Sequence, residues 1–253
     1  MIDQASVARR ALELLDLTNL NDDCTKDDID SLIKRARTPH GPVAAICIWP
    51  RFVEQAKALL GNSPIRIATV VNFPSGNEPA AKVIAETEAA VAAGADEIDM
   101  VVPWAALLEG HPENVSARVA RVRRAAGDAT LKAIIESGML QKPNLIVEAS
   151  LGAIDGGADF VKTSTGKVPI NATPEAARAI LSTIQKAKRG VGFKAAGGIR
   201  NVADASLYLD LADEIMGPDW AGPATFRFGA SSVLDTLLAA IEGRDGTSDA
   251  GGY

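Results

Sequence analysis

Aromatic residues are scarce in this sequence: Trp, Tyr and Phe together make up 4% of 253 residues. A core with so few rings must be packed mainly from Ala, Val, Ile and Leu, which favours aliphatic helix and sheet layers. Cysteine is scarcer still. Two thiols, Cys24 and Cys47, are too few for a disulfide framework and lack the paired spacing of a zinc site. Both are expected to be reduced. His40 and His111 fall beside Pro and Gly in apparent loops and take no role; no metal cluster and no Walker-type loop is read. No run reaches the roughly 18 apolar residues of a membrane span, and residues 1–10 lack the apolar core of a signal peptide. Acidic residues outnumber basic ones, 32 to 26, and the net charge of −6 argues against a nucleic-acid or anionic-membrane surface. The absences leave a cytosolic globular protein in which any anionic ligand must be held by a local site.

What is present has a strong rhythm. Hydrophobic residues make up 47% and charged residues 23%, ordinary for a chain with a full core. Short apolar, β-branched runs alternate with amphipathic stretches, without a break in composition. Strands are expected at Val43–Ile48, Ile65–Val71, Glu97–Val102, Leu131–Ile135, Phe160–Thr163, Val191–Ala195, Asp213–Met216 and Thr225–Phe228. Helical stretches lie between most of them, so the units read as parallel βαβ. The length is close to the roughly 250 residues of one barrel, and the expectation is an α/β fold, a single (β/α)₈ TIM barrel. Two further helical stretches, Ala5–Leu15 and Lys26–Arg37, precede the first expected strand, with Thr25 or Asp23 as a cap for the second. The domain is expected over residues 1–242. Residues 243–253, rich in Gly, Ser and Asp, are expected to form a flexible tail whose final Tyr253 could fold over a site.

Polar groups cluster near the expected strand ends: Asp99, Glu136, Lys162 and Lys194. In parallel α/β folds ligands gather at the carboxyl ends of strands, so chemistry is expected there. Lys162 stands in Asp159-Phe160-Val161-Lys162-Thr163-Ser164-Thr165-Gly166-Lys167, an apolar strand running into a glycine turn. Burial and a neighbouring cation both lower an amine's pKa and make it nucleophilic; Lys194, on the next strand, could be that cation. A structural ion-pair network would account for the same two lysines, and pattern alone leaves both readings open. Glycine-rich turns follow three late strands: Thr165-Gly166-Lys167, Gly197-Gly198-Ile199-Arg200 and Gly229-Ala230-Ser231-Ser232. Any one could merely permit a tight turn. Together they favour a phosphate held by backbone N–H groups and a helix N-terminus. Asp99 could move protons near the lysines, whereas Asp16 reads equally as a proton relay, a cap or a turn residue. Asp96 and Glu97 read as turn and solvent-facing residues. Cys47, in an apolar strand, reads as packing that could line the pocket.

Over essentially its whole length the sequence closely resembles the 2-deoxyribose-5-phosphate aldolase family. The resemblance rests on Leu15-Asp16-Leu17-Thr18, Ala45-Ile46-Cys47-Ile48, Asn72-Phe73-Pro74, Gly94-Ala95-Asp96-Glu97-Ile98-Asp99, the Lys162-Thr163-Ser164-Thr165-Gly166 run, Gly192-Phe193-Lys194, and Arg227-Phe228-Gly229-Ala230-Ser231-Ser232. It implies a class I aldolase with no cofactor and no metal, acting on a sugar phosphate and aldehydes. Lys162 would form an imine, Lys194 would lower its pKa, Asp99 would transfer protons and Tyr253 would assist at the enamine. Thr18 and Cys47 would line the pocket. A homodimer or homotetramer is implied as well. Two positions depart from the family's habit: Ala196, in a stretch that often holds proline, and Val71, where a polar residue is common. Both bear on substrate preference rather than reaction type.

Overall fold

Alternating strands and helices close on themselves in a computed structural model that describes residues 3–244. The barrel strands are β1 Leu15–Asn19, β2 Ala45–Ile48, β3 Arg66–Val71, β4 Glu97–Val101, β5 Thr130–Ile134, β6 Phe160–Lys162, β7 Gly192–Ala196 and β8 Phe226–Ala230. Each is parallel to its neighbours, and β1 pairs with both β2 and β8, so the eight strands form a closed barrel without an exposed edge. The expected (β/α)₈ fold is the observed one. Among the described residues no helix is long and apolar enough to cross a membrane.

Its first strand was not among those expected. Leu15–Asn19 is a short barrel strand with only two apolar residues, too few to stand out by periodicity. Asp213–Met216, expected as a strand, is the last turn of helix Val202–Met216. Asp213 faces outward there, and its carboxylate holds Arg10 of helix Gln4–Glu13 at 2.6 Å. The segment Gly217–Ala224 therefore links that helix to β8. Helix Lys26–Ala36 is the crossover from β1 to β2, which leaves Gln4–Glu13 as the helix preceding the barrel. It packs beside helices Val202–Met216 and Val233–Ile241.

Local chemistry explains most helix starts. Thr25 and Asp28 form a reciprocal capping box ahead of Lys26–Ala36. Thr173 accepts from the Ala176 N–H ahead of Pro174, whose fixed φ suits the first helical position. Helix Pro174–Ala187 buries Ala176, Ala177, Ile180, Leu181 and Ile184, a stripe at three- and four-residue spacing.

Side chains of a strand alternate between its two faces, and this period of two divides the barrel. Ile98 and Met100 of β4, Leu131 and Ala133 of β5, Phe193 and Ala195 of β7, and Phe226 and Phe228 of β8 pack outward into the apolar layer beneath the helices. The alternate positions are Glu97 and Asp99, Lys132, Lys194 and Arg227. They fill the interior with charge, while Cys47, Ala68 and Val70 from β2 and β3 form a small apolar cluster with Leu20. One side of the barrel interior is thus apolar and the other ionic.

Candidate active site

Among the described residues, four cationic side chains meet three carboxylates inside the barrel. Asp99 is the hub. Its Oδ1 accepts from Lys132 Nζ at 2.8 Å, and its Oδ2 accepts from Lys162 at 2.7 Å and Lys194 at 2.8 Å. Asp16 accepts from Lys194 and, at 2.6 Å, from Arg227. Glu97 accepts from Lys132 and, at 2.8 Å, from Arg227. All seven residues are buried. Charges in a low-dielectric interior must be paired or neutral. Three carboxylates neutralise three cations, so one of the four bases is in excess.

Electrostatics identify the excess base as Lys162. Burial pushes its ammonium below the usual lysine range and Lys194 adds to the effect, against the pull of Asp99. Burial also opposes the charge on Lys194, but Asp16 and Asp99 outweigh it and raise that lysine. Lys132 is raised likewise by Asp99, Glu97 and Asp16. Burial would raise Asp99, yet Lys132, Lys162 and Lys194 hold it well below the usual carboxylate range. Asp16 is depressed too, with Lys194 and Arg227 overcoming its burial. The arrangement therefore keeps ammonium groups on Lys132 and Lys194 and makes Lys162 the lysine of the set that gives up its proton most readily.

Lys162 ends β6 and lines a cavity of about 340 Å³ at the carboxyl ends of the strands. Thr18, Thr165, Gly166, Lys167, Gly197, Gly198, Arg200, Gly229, Ser231 and Ser232 line the same cavity. The strands after β5 explain this grouping. Thr163 accepts from the Ala196 N–H at 3.0 Å, clipping the end of β6 to the end of β7 and bringing two of the glycine turns together. Gly197 and Gly198 have φ of +81° and +86°, a region that side chains disfavour. A Cβ at Gly229 would lie 2.9 Å from the Lys194 Cε, so a side chain there would push the end of that lysine aside. Ser232 precedes helix Val233–Ile241, and its hydroxyl makes no capping bond there.

Several expected residues sit differently. Asp16 is neither a cap nor a turn residue; it is fully buried in β1, facing the lysines. Cys47 is fully buried in the apolar cluster and is not part of the cavity wall, and burial pushes its thiol up. Glu97 is not solvent-facing but 2% exposed, as the partner of Lys132 and Arg227. Asp96 does occupy a turn position, accepting from the Ile67 N–H at 2.9 Å. Tyr253 lies outside the described residues.

Three members of the charged set had no assigned role: Lys132, Glu97 and Arg227. A signal existed in period two, since Glu97 shares a strand face with Asp99. Lys132 alternates with Leu131 and Ala133 within an apolar strand. Glu136 also gains a definite place. It adopts the left-handed backbone conformation at φ +52°, is pushed up by burial, and accepts from the Thr165 N–H at 3.1 Å and hydroxyl at 2.6 Å. A strained residue at a strand end is typical of a site held in shape by its surroundings.

A family described as DeoC/LacD family aldolase matches residues 10–238. The chain is 55% identical over 248 residues to a deoxyribose-phosphate aldolase of Agrobacterium fabrum (strain C58 / ATCC 33970), covering 97% of this chain and 96% of that relative. Two solved structures of proteins assigned as deoxyribose-phosphate aldolases are similar. One, an apo form from Toxoplasma gondii ME49, is 26% identical with a TM-score of 0.89, over 97% of this chain and 99% of that one. The other, from Coccidioides immitis, is 27% identical with a TM-score of 0.81, over 90% and 85% of the two chains. Similarity of this extent decides the matter: the chain belongs to the DeoC/LacD family of aldolases, carbon–carbon lyases of class I.

Proposed function

We propose that this chain cleaves 2-deoxy-D-ribose 5-phosphate reversibly to acetaldehyde and D-glyceraldehyde 3-phosphate, through an imine on Lys162. One observation carries the reading: of the four buried bases, Lys162 alone has an ammonium lowered by its surroundings, and it lines the cavity. The Agrobacterium relative's activity supports the choice of substrate.

The neutral amine adds to the C1 carbonyl of the open-chain sugar, and uptake of a proton with loss of water leaves an iminium; that proton is given back when the amine is released. Removal of the C3 hydroxyl proton then breaks the C2–C3 bond, whose electron pair flows into the iminium. The products are glyceraldehyde 3-phosphate and a neutral enamine. Protonation at C2 and hydrolysis release acetaldehyde and restore the amine. Asp99 accepts from the Lys162 nitrogen through the oxygen it shares with Lys194, which suits this pair to accept and return protons there. Asp16 holds Lys194 charged. The phosphate end is taken by the turns at Gly166, Gly197 and Gly198 and by Ser231 and Ser232 at the start of helix Val233–Ile241, with Lys167 and Arg200 nearby.

Borohydride reduction in the presence of acetaldehyde tests the reading. An ethyl group should appear on Lys162 by peptide mass, and purified protein should release acetaldehyde from deoxyribose 5-phosphate. Absence of both would end it. The phosphate assignment has its own check. Ser232→Asp should raise the KM for deoxyribose 5-phosphate by about 100-fold through like-charge repulsion, and change kcat/KM for unphosphorylated deoxyribose by no more than about twofold. Equal losses on both sugars would remove Ser232 from the phosphate site. The reading extends to a cytoplasmic enzyme of deoxyribonucleotide catabolism acting as a homodimer or homotetramer, a state that light scattering measures.

A further inference from the structure

We propose that Arg227, at the barrel mouth opposite the substrate cavity, is a positioning residue that keeps Lys162 uncharged by completing the charge balance of the interior. The inference rests on Lys162 being the imine-forming amine. Arg227 pairs with Asp16 and Glu97, and neither of these is the carboxylate that holds Lys162. Its Nε donates to the Pro223 carbonyl at 2.6 Å, its guanidinium stands 5.8 Å from the Phe160 ring centroid, and it lines a cavity at the amino ends of the strands with Arg66, Glu97 and Thr130. It is not part of the wall of the substrate cavity.

Two chains of ion pairs lead from Arg227 to the reacting amine. One runs through Asp16 to Lys194, the other through Glu97 to Lys132. Both lysines share Asp99, whose Oδ2 also accepts from Lys162. The groups facing this set can be taken strand by strand. β1 supplies Asp16, β4 Glu97 and Asp99, β5 Lys132, β6 Lys162, β7 Lys194 and β8 Arg227. β2 supplies Cys47, whose thiol burial holds neutral, and the β3 positions in the interior cluster, Ala68 and Val70, are apolar. Glu136, beyond the end of β5, is pushed up by burial and gives its oxygens to Thr165 rather than to a cation.

With Lys162 neutral, Lys132, Lys194 and Arg227 balance Asp16, Glu97 and Asp99. Removing Arg227 leaves one negative charge over, and protonating Lys162 is the nearest way to neutralise it. Removing the Glu97 charge does the opposite. Through a partly buried medium a unit charge at this remove moves a pKa by about one unit. The predicted shifts therefore have opposite signs.

The experiment follows acetaldehyde trapping on Lys162 and kcat/KM across pH in the full-length protein. Arg227→Met should move the acid limb up by about one pH unit, and Glu97→Gln should move it down by about the same amount. The double variant should return towards the wild-type limb, and Arg227→Lys should keep it. If Arg227→Met does not fold, the double variant compared with Glu97→Gln isolates the same charge, and its limb must lie higher. Limbs that stay in place while rates fall would show that Arg227 only holds structure and would overturn the proposal. A wild-type protein that gives no Lys162 adduct would instead overturn the imine reading itself.

Discussion

Lys162→Met is expected to lower turnover of deoxyribose 5-phosphate by about 10⁴-fold or more and to abolish the borohydride adduct, with the fold unchanged. Methionine keeps the length of the side chain and removes only the nucleophile. The charge balance predicts that the fold survives. Lys162 is the base in excess, so its loss leaves three cations facing three carboxylates, and Asp99 still holds Lys132 and Lys194. The unfolding midpoint should therefore move by no more than about 3 °C, as for a volume-conserving change. Calorimetry beside the trapping assay separates the two effects. A variant that kept about one per cent of turnover or more would show that the imine forms elsewhere or not at all.

Asp99→Asn should damage both stability and chemistry. Asp99 is the acceptor shared by three buried lysines, and an amide replaces one of its oxygens with a donor. Lys132, Lys194 and Arg227 would then face only Asp16 and Glu97. Leaving a buried charge without its partner costs about 3–5 kcal/mol, which for a chain of this size lowers the unfolding midpoint by roughly 10 °C. Because the native carboxyl is held well below the usual carboxylate range, this stability difference is full at neutral pH. It shrinks as pH falls below that range towards the native value, since the wild type then loses the same charge. Turnover should fall by about 10²- to 10⁴-fold, as the iminium loses its counter-charge and its proton carrier. The acid limb should move to lower pH, because Asp99 supports the Lys162 ammonium. A limb displaced upward would mean that Asp99 acts by another route.

Much of this architecture is legible along the chain. Strand runs such as Ile65–Val71 are dense in β-branched residues, and a helix stripe such as that of Pro174–Ala187 repeats at the helical period; both patterns are local. The glycine turns that line the cavity are legible for a similar reason. Glycine and serine in Gly197-Gly198 and Ser231-Ser232 state their backbone needs without reference to distant partners. Strand β1 was not legible, because five residues with two leucines carry too little apolar signal, and closure with β8 makes it a strand. Asp213–Met216 misled in the opposite sense. Four residues with two apolar side chains look like a strand end until the preceding helix is seen to continue through them.

Sequence alone therefore determined the alternation that builds a barrel, the two lysines on adjacent late strands and the glycine turns that follow those strands. Each of those depends on neighbours within a few residues. Only the tertiary structure decided which charges meet. Arg227 reaches Asp16 across 211 positions and Lys194 reaches it across 178, separations at which no pattern along the chain can pair them. Period two places Glu97 on the same strand face as Asp99, but it does not say which face looks inward. Closure of the barrel settles that. It turns one side of the interior into an ion-pair set in which a single amine, Lys162, is left without a charge to balance.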